Sequence, residues 1–200
     1  MRLVGGLDPS ASARRPSGFA VVELGDRRLL QVGLCYDDDD IVGAMAAVEA
    51  LAIDSPLSIP EGGAFRDVDL EMARMGFRLL PPSWRGMSAL TERSLRLLQL
   101  IGVPAFETHP RSALRASGCH GVGELLDAVG ISHGELPSSR DALDAVVAAV
   151  VALEVVEGSA VEVRAADGSI YLIPEVCRSR GRAWPRPDRT ASSRSGCRAM

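Results

Sequence analysis

From Ala145 to Val156 the chain reads AVVAAVVALEVV, twelve residues in which Glu154 alone is polar. A helix that is apolar on every side has to be surrounded by other elements. No stretch of the chain reaches eighteen consecutive apolar residues, which argues against a membrane span, and no charged segment leads into an apolar run and cleavage site at the N-terminus. The helix is therefore expected in the core of a layered domain. It starts at Arg140 after Pro137-Ser138-Ser139 and stops at Gly158, and 200 residues suffice for one such domain with a sizeable core.

The segments before it supply a sheet. Residues 2–7 form a short apolar run ending at Asp8-Pro9, and residues 18–24 and 28–35 are two strands joined at Gly25-Asp26. Tight connections make these three an antiparallel meander. Asp37–Asp40 opens a helix over residues 41–51 with its acids at the end the helix dipole favours. The apolar run ending at Asp54 follows a helical crossover, so its strand lies parallel to the first. A short helix near residues 66–75, a helix over 88–101 closed by Gly102, a strand over 103–107 and a short helix near 122–129 come next. After the apolar helix, residues 161–165 and 170–173 flank Asp167-Gly168 as a hairpin. The expected fold class is α/β: a mixed five-stranded sheet with flanking helices and a C-terminal hairpin.

Charge divides the chain in two. Residues 177–200 hold seven arginines against Asp188, which gives them +6 and leaves −10 on residues 1–176. The Arg/Ser/Pro-rich segment reads as a disordered tail, either one that holds phosphates electrostatically or an extension without a role. The acidic body argues against a broad basic face for nucleic acid. All 22 basic residues are arginine, as a GC-rich genome produces. Cys35, Cys119, Cys177 and Cys197 include no Cys-x-x-Cys pair, so reduced thiols and a cytoplasmic location are expected, with neither a zinc ribbon nor a disulfide framework.

Asp8 and Asp54 each stand where an apolar strand stops. On neighbouring parallel strands those ends lie about 5 Å apart, at the edge where open α/β sheets bind ligands. Two carboxylates there repel unless a proton or a divalent cation lies between them. Asp141 and Asp144 share a face of the last helix. Ser138-x-x-Asp141 also fits a capping box, whereas Asp144 borders the apolar run and needs a partner or a metal. Glu107 ends the fifth strand in Phe106-Glu107-Thr108-His109-Pro110. His109 is a candidate ligand, base or phosphate contact, and the alternative for it is a hydrogen-bonded structural histidine. Arg66 and Arg111 are candidates for holding a phosphate, Arg66 from a short helix that either covers the site or is only a salt-bridged face.

The order meander, helix, strand, helix, strand, helix is similar to the RNase H-like fold. The stretches GLDPSASARRPSGFAVVE, AIDSPLSIP, FRDVD, FETHPRSALRASG, RDALDAVVAAVVAL and DGSIYLIPE, in that order over residues 1 to about 176, resemble the predicted RNase H-like nucleases of domain-of-unknown-function family four hundred and twenty-nine. The Asp-x-x-Asp of the last helix also looks like that of RuvC-type resolvases, although Asp54 stands where those carry glutamate. The resemblance implies Mg²⁺ or Mn²⁺ on Asp8, Asp54 and Asp144 or Asp141, and a nucleic-acid substrate. In that reading two ions about 4 Å apart activate water and stabilise the leaving oxygen, with Glu107 assisting. A non-enzymatic binding module is the alternative. An ATP-dependent phosphotransferase is disfavoured by the single domain and the missing G-x-x-x-x-G-K-[ST].

Overall fold

The computed structural model describes residues 1–177; the tail expected to be disordered lies, from residue 178 onward, outside the described residues. In chain order the elements are β1 (Leu3–Asp8), β2 (Ser17–Glu23), β3 (Arg28–Cys35), α1 (Asp38–Met45), β4 (Ala50–Asp54), α2 (Asp67–Arg74), α3 (Arg85–Ile101), β5 (Ala105–Thr108), α4 (Pro110–Ser117), α5 (Val122–Ala128), α6 (Arg140–Glu157), β6 (Val161–Ala165) and β7 (Gly168–Leu172). They form one sheet of order β3-β2-β1-β4-β5-β7-β6. The meander is antiparallel, and β1, β4 and β5 are parallel, with Leu7 opposite Ile53 and Ile53 opposite Glu107. This is the mixed α/β architecture, a central sheet between helices, that the RNase H-like resemblance implies.

Alternation along the strands gives each face its own core. Val4, Ala20, Val22, Ala50 and Ala52 point to the face that carries α6. Leu3, Leu7, Val21, Leu51 and Ile53 point to the other, against Ile41 and Met45 of α1 and Leu97 of α3. From Ala145 to Leu153 every residue of α6 is buried, as its composition demands.

Two glycines let α6 reach the sheet. A Cβ on Gly6 would stand 2.0 Å from the carbonyl oxygen of Ala145 and 2.2 Å from the amide of Ala149, and one on Gly18 would stand 1.9 Å from the carbonyl oxygen of Asp141. Helix backbone thus rests directly on β1 and β2, through the small side chains at 145 and 149 on one helix face.

Several elements differ from their sequence-based reading. The sheet has seven strands because the C-terminal hairpin joins it, with Tyr171 opposite Thr108 and the Thr108 hydroxyl donating to the Tyr171 carbonyl at 2.8 Å. Helix α1 ends at Met45, since residues 50 and 51 are needed to pair with Val4 and Gly5. Helix α4 has no counterpart in the sequence-based reading; Pro110 at its first turn has no amide hydrogen to leave unsatisfied and favours a helix start. The expected Ser138 capping box does not form: Ser139 holds the N-cap position of α6 and makes no side-chain cap bond.

The thiol reading is corrected. Cys119 and Cys177 form a disulfide across a sequence separation of 58, and Cys35 is free and buried. Ser117 at the end of α4 brings the pair together by accepting from the amides of Val176 and Cys177 at 3.0 and 2.9 Å. This bond removes the thiol argument for a cytoplasmic location. No helix among the described residues is long and apolar enough to cross a membrane.

Gly6→Ala is expected to cost about 3 kcal/mol or more, because only backbone can yield there. Gly25→Ala, with nothing within 4 Å of the added carbon, should stay within about 0.5 kcal/mol. Urea unfolding of the two variants checks the contrast. Reduction with dithiothreitol should lower the unfolding free energy by up to roughly 4 kcal/mol, the chain-entropy value for a loop of this length, and Cys119→Ser should reproduce that loss without reductant.

Candidate metal centre

Parallel pairing of β1 and β4 ends both strands on a carboxylate, Asp8 and Asp54, at the same sheet edge. The close seat of α6 on β1 brings a third, Asp144, from the helix's second turn. Oxygens of Asp8, Asp54 and Asp144 lie within 4.8 Å of one another. Three hard oxygen donors from three elements are a suitable donor set for a divalent cation.

Electrostatics agree with that use. Burial pushes the Asp8 carboxyl up to about 8, with Asp144 and Asp141 adding to the rise and Arg140 opposing it. Burial also holds Asp54 well above the usual carboxylate range, reinforced by Asp8, Asp144 and Glu107. Asp144 is raised by burial and partly relieved by Arg140, whose Nε is 3.5 Å from its Oδ2. A single exposed guanidinium at the edge leaves the three carboxylates largely uncompensated.

Asp141 is exposed at the rim, on the wall of a cavity it shares with Asp8, and is not one of the three converging acids. Glu107 and Arg66 lie behind the site, in a buried ion-pair network. Arg66 donates to Glu107 at 2.8 and 2.5 Å and to Asp69 at 3.1 and 2.8 Å, while the amide of Leu57 donates to Glu107 at 2.8 Å. With Arg66 1% exposed, its donors are spent inside the protein. The expectation that Arg66 touches a phosphate does not match this placement: it anchors the loop after Asp54. The short helix therefore supports the site, and α2 is capped in turn from the hairpin, where Asp167 accepts from the amides of Asp67 and Val68.

His109 is half-buried at the start of α4, its Nδ1 2.7 Å from the Ser112 hydroxyl, and burial lowers its pKa so that the ring is neutral at pH 7. It lines a cavity with Asp8 and Asp54. Arg111, exposed two residues further on, lines the neighbouring cavity together with His109. The acids at 37–40 start a helix: Asp37 caps α1 by accepting from the Asp40 amide at 2.8 Å.

Sequence reasoning missed Arg93. Buried on α3, it donates to the Ser10 carbonyl at 2.6 Å and to Asp38 at 2.6 and 3.1 Å, and so tethers the loop that follows Asp8. In the sequence it sits among the polar residues of an amphipathic helix, with no local signal that sets it apart.

No family model matches the chain, and no curated protein does; the narrower family resemblance thus has no matching model behind it. Among solved structures the chain is similar to Thermus thermophilus RuvC in complex with a Holliday junction substrate, at 20% identity, TM-score 0.46, over 80% of this chain and 98% of that one. It is also similar to a second structure of Thermus thermophilus RuvC, at 19% identity, TM-score 0.46, over 78% and 97%.

The raised acids set the direction of the pH dependence. Between about pH 4 and 8 the folded chain keeps a proton on Asp8 that the unfolded chain has lost, so metal-free stability falls as pH rises through that window. In EDTA the urea midpoint should be lower at pH 8 than at pH 5, and Asp8→Asn should shrink the difference. A wild-type midpoint unchanged between the two would contradict the crowding of charge at this site.

Proposed function

We propose that the chain is a divalent-metal-dependent phosphodiesterase acting on nucleic acid. One observation carries the reading: three carboxylates from β1, β4 and α6 converge within 4.8 Å at the edge of the parallel strands. Asp8, Asp54 and Asp144 would hold Mg²⁺ or Mn²⁺, and Asp141 reaches the site from its rim. A bound cation supplies Lewis acidity at a phosphoryl oxygen and a water acidified toward neutral pH. The chain's own residues do the rest. Asp8 and Asp54 give up their protons when a cation replaces them as the source of positive charge. Glu107, locked by Arg66 and the Leu57 amide, adds negative potential behind Asp54 and fixes the strand end from which Asp54 projects. His109, neutral and held through Nδ1, presents Nε2 to a substrate oxygen, and Arg111 offers a bidentate fork to a flanking phosphate.

Purified protein should cleave an oligonucleotide with Mg²⁺ or Mn²⁺ and not in EDTA, and Ca²⁺ should bind while supporting little turnover. Asp8→Asn should lower cleavage by about a hundredfold or more, since loss of outer-shell support alone costs a metal site tenfold to a hundredfold. It should leave the melting temperature in EDTA unchanged or higher. If Asp8→Asn neither weakens Mn²⁺ binding nor reduces cleavage, a non-enzymatic binding module replaces the nuclease.

A further inference from the structure

The carboxylate site opens on two sides of different chemistry. On one side is a cavity of about 610 Å³ walled by Asp8, Asp141 and the loop that carries Arg15. On the other is a smaller one of about 180 Å³, lined by Asp8, Asp54, Arg66, Asp69, Glu107 and His109. Leu79, Leu80, Pro82, Met87 and Leu90 give the same cavity an apolar part. His109 also belongs to a third cavity, where Arg78, Arg111 and Arg115 gather. The carboxylates thus share one cavity with apolar side chains, and through His109 that cavity adjoins a group of arginines.

Successive phosphates of a nucleotide strand are joined through a sugar from which the base branches, so a strand with one phosphate at the carboxylates can turn the attached base into the adjoining cavity. The cavity exceeds the roughly 150 Å³ of an apolar pocket that takes up benzene, which is room for one six-membered ring. A base inside a duplex cannot enter such a pocket without leaving its stack. Residues 1–176 carry −10, so the described body cannot draw its affinity from a long run of backbone phosphates. Apolar contact with an unpaired base is a further source. Leu80 and Trp84, both more than half exposed on the segment that walls the cavity, add surface on which a strand can stack.

We infer that the cavity lined by Asp54, His109 and Leu80 receives one unpaired nucleobase, adjacent to the scissile phosphate, of a single-stranded substrate. The inference rests on the phosphodiesterase reading and adds the substrate's strandedness and the place of its base. The next phosphate along the strand lies at His109, Arg78 and Arg111.

The test is binding, read by fluorescence anisotropy of a fluorescein-labelled ten-nucleotide oligothymidylate in Ca²⁺ at low salt. The single strand should bind at least tenfold more tightly than the same strand annealed to oligoadenylate. One abasic residue moved along the strand should weaken binding at a single position by roughly five- to hundredfold, the scale of one base contact. Leu80→Ser, a surface substitution, and Met87→Ala should each weaken the intact strand and leave the strand abasic at that position unaffected. Binding that needs Ca²⁺ and Asp8 but ignores strandedness, abasic position and Leu80→Ser overturns the base pocket and leaves the phosphodiesterase reading standing. If neither single strand nor duplex binds with Ca²⁺, both readings fall.

Discussion

The contact between the backbone of α6 and the glycines of β1 and β2 determines where everything else can be. Gly6 and Gly18 leave no side chain between sheet and helix, and the carbonyls of Ala145 and Asp141 occupy the space a Cβ would need. At that separation the second turn of α6 stands beside the end of β1, so Asp144 meets Asp8. A larger residue at either glycine would lift the helix and move Asp144 away from the two strand-end acids. The apolar length of α6, buried from Ala145 to Leu153, supplies the driving force that holds it there.

Around that junction the protein distributes charge unequally. Two buried arginines flank the site, and both are fully matched. Arg93 holds the loop after Asp8 through Ser10 and Asp38. Arg66 holds the loop after Asp54 through Glu107, with Asp69 completing its fork. Buried ions without partners are costly, and satisfied networks such as these fix geometry at little net gain in stability. The three aspartates between them receive no such matching beyond Arg140. Among the described residues, unmatched carboxylates are thus gathered where a cation would compensate them, and the surrounding loops are pinned by contacts of their own.

Much of this was legible because it follows from local pattern. Asp8 and Asp54 are marked by apolar runs that stop on an acid, and Asp144 by its position against the longest apolar helix. The crossover between the first and fourth strands fixes their parallel pairing, hence the convergence of the two acids. What was not legible depends on tertiary pairing. Cys119 and Cys177 are far apart with no characteristic spacing, and only the approach of Val176 and Cys177 to Ser117 joins them. The hairpin's addition to the sheet rests on the pairing of Tyr171 with Thr108, which no turn residue announces. Arg66 and Arg93 look like solvated helix residues until the fold buries them. Helix α4 had a signal in Pro110, overshadowed by the strand before it.

The central claim is that Asp8, Asp54 and Asp144 form a cation site at which Asp8, raised to about 8, gives up its proton when a cation binds. Calorimetric titration of Mn²⁺ at pH 7 in buffers of different ionisation enthalpy tests it directly, because it counts protons released on binding. Binding that releases about one proton or more, with the release diminished in Asp8→Asn, is the expected result. Binding without proton release, or binding of equal strength in Asp8→Asn, would contradict it.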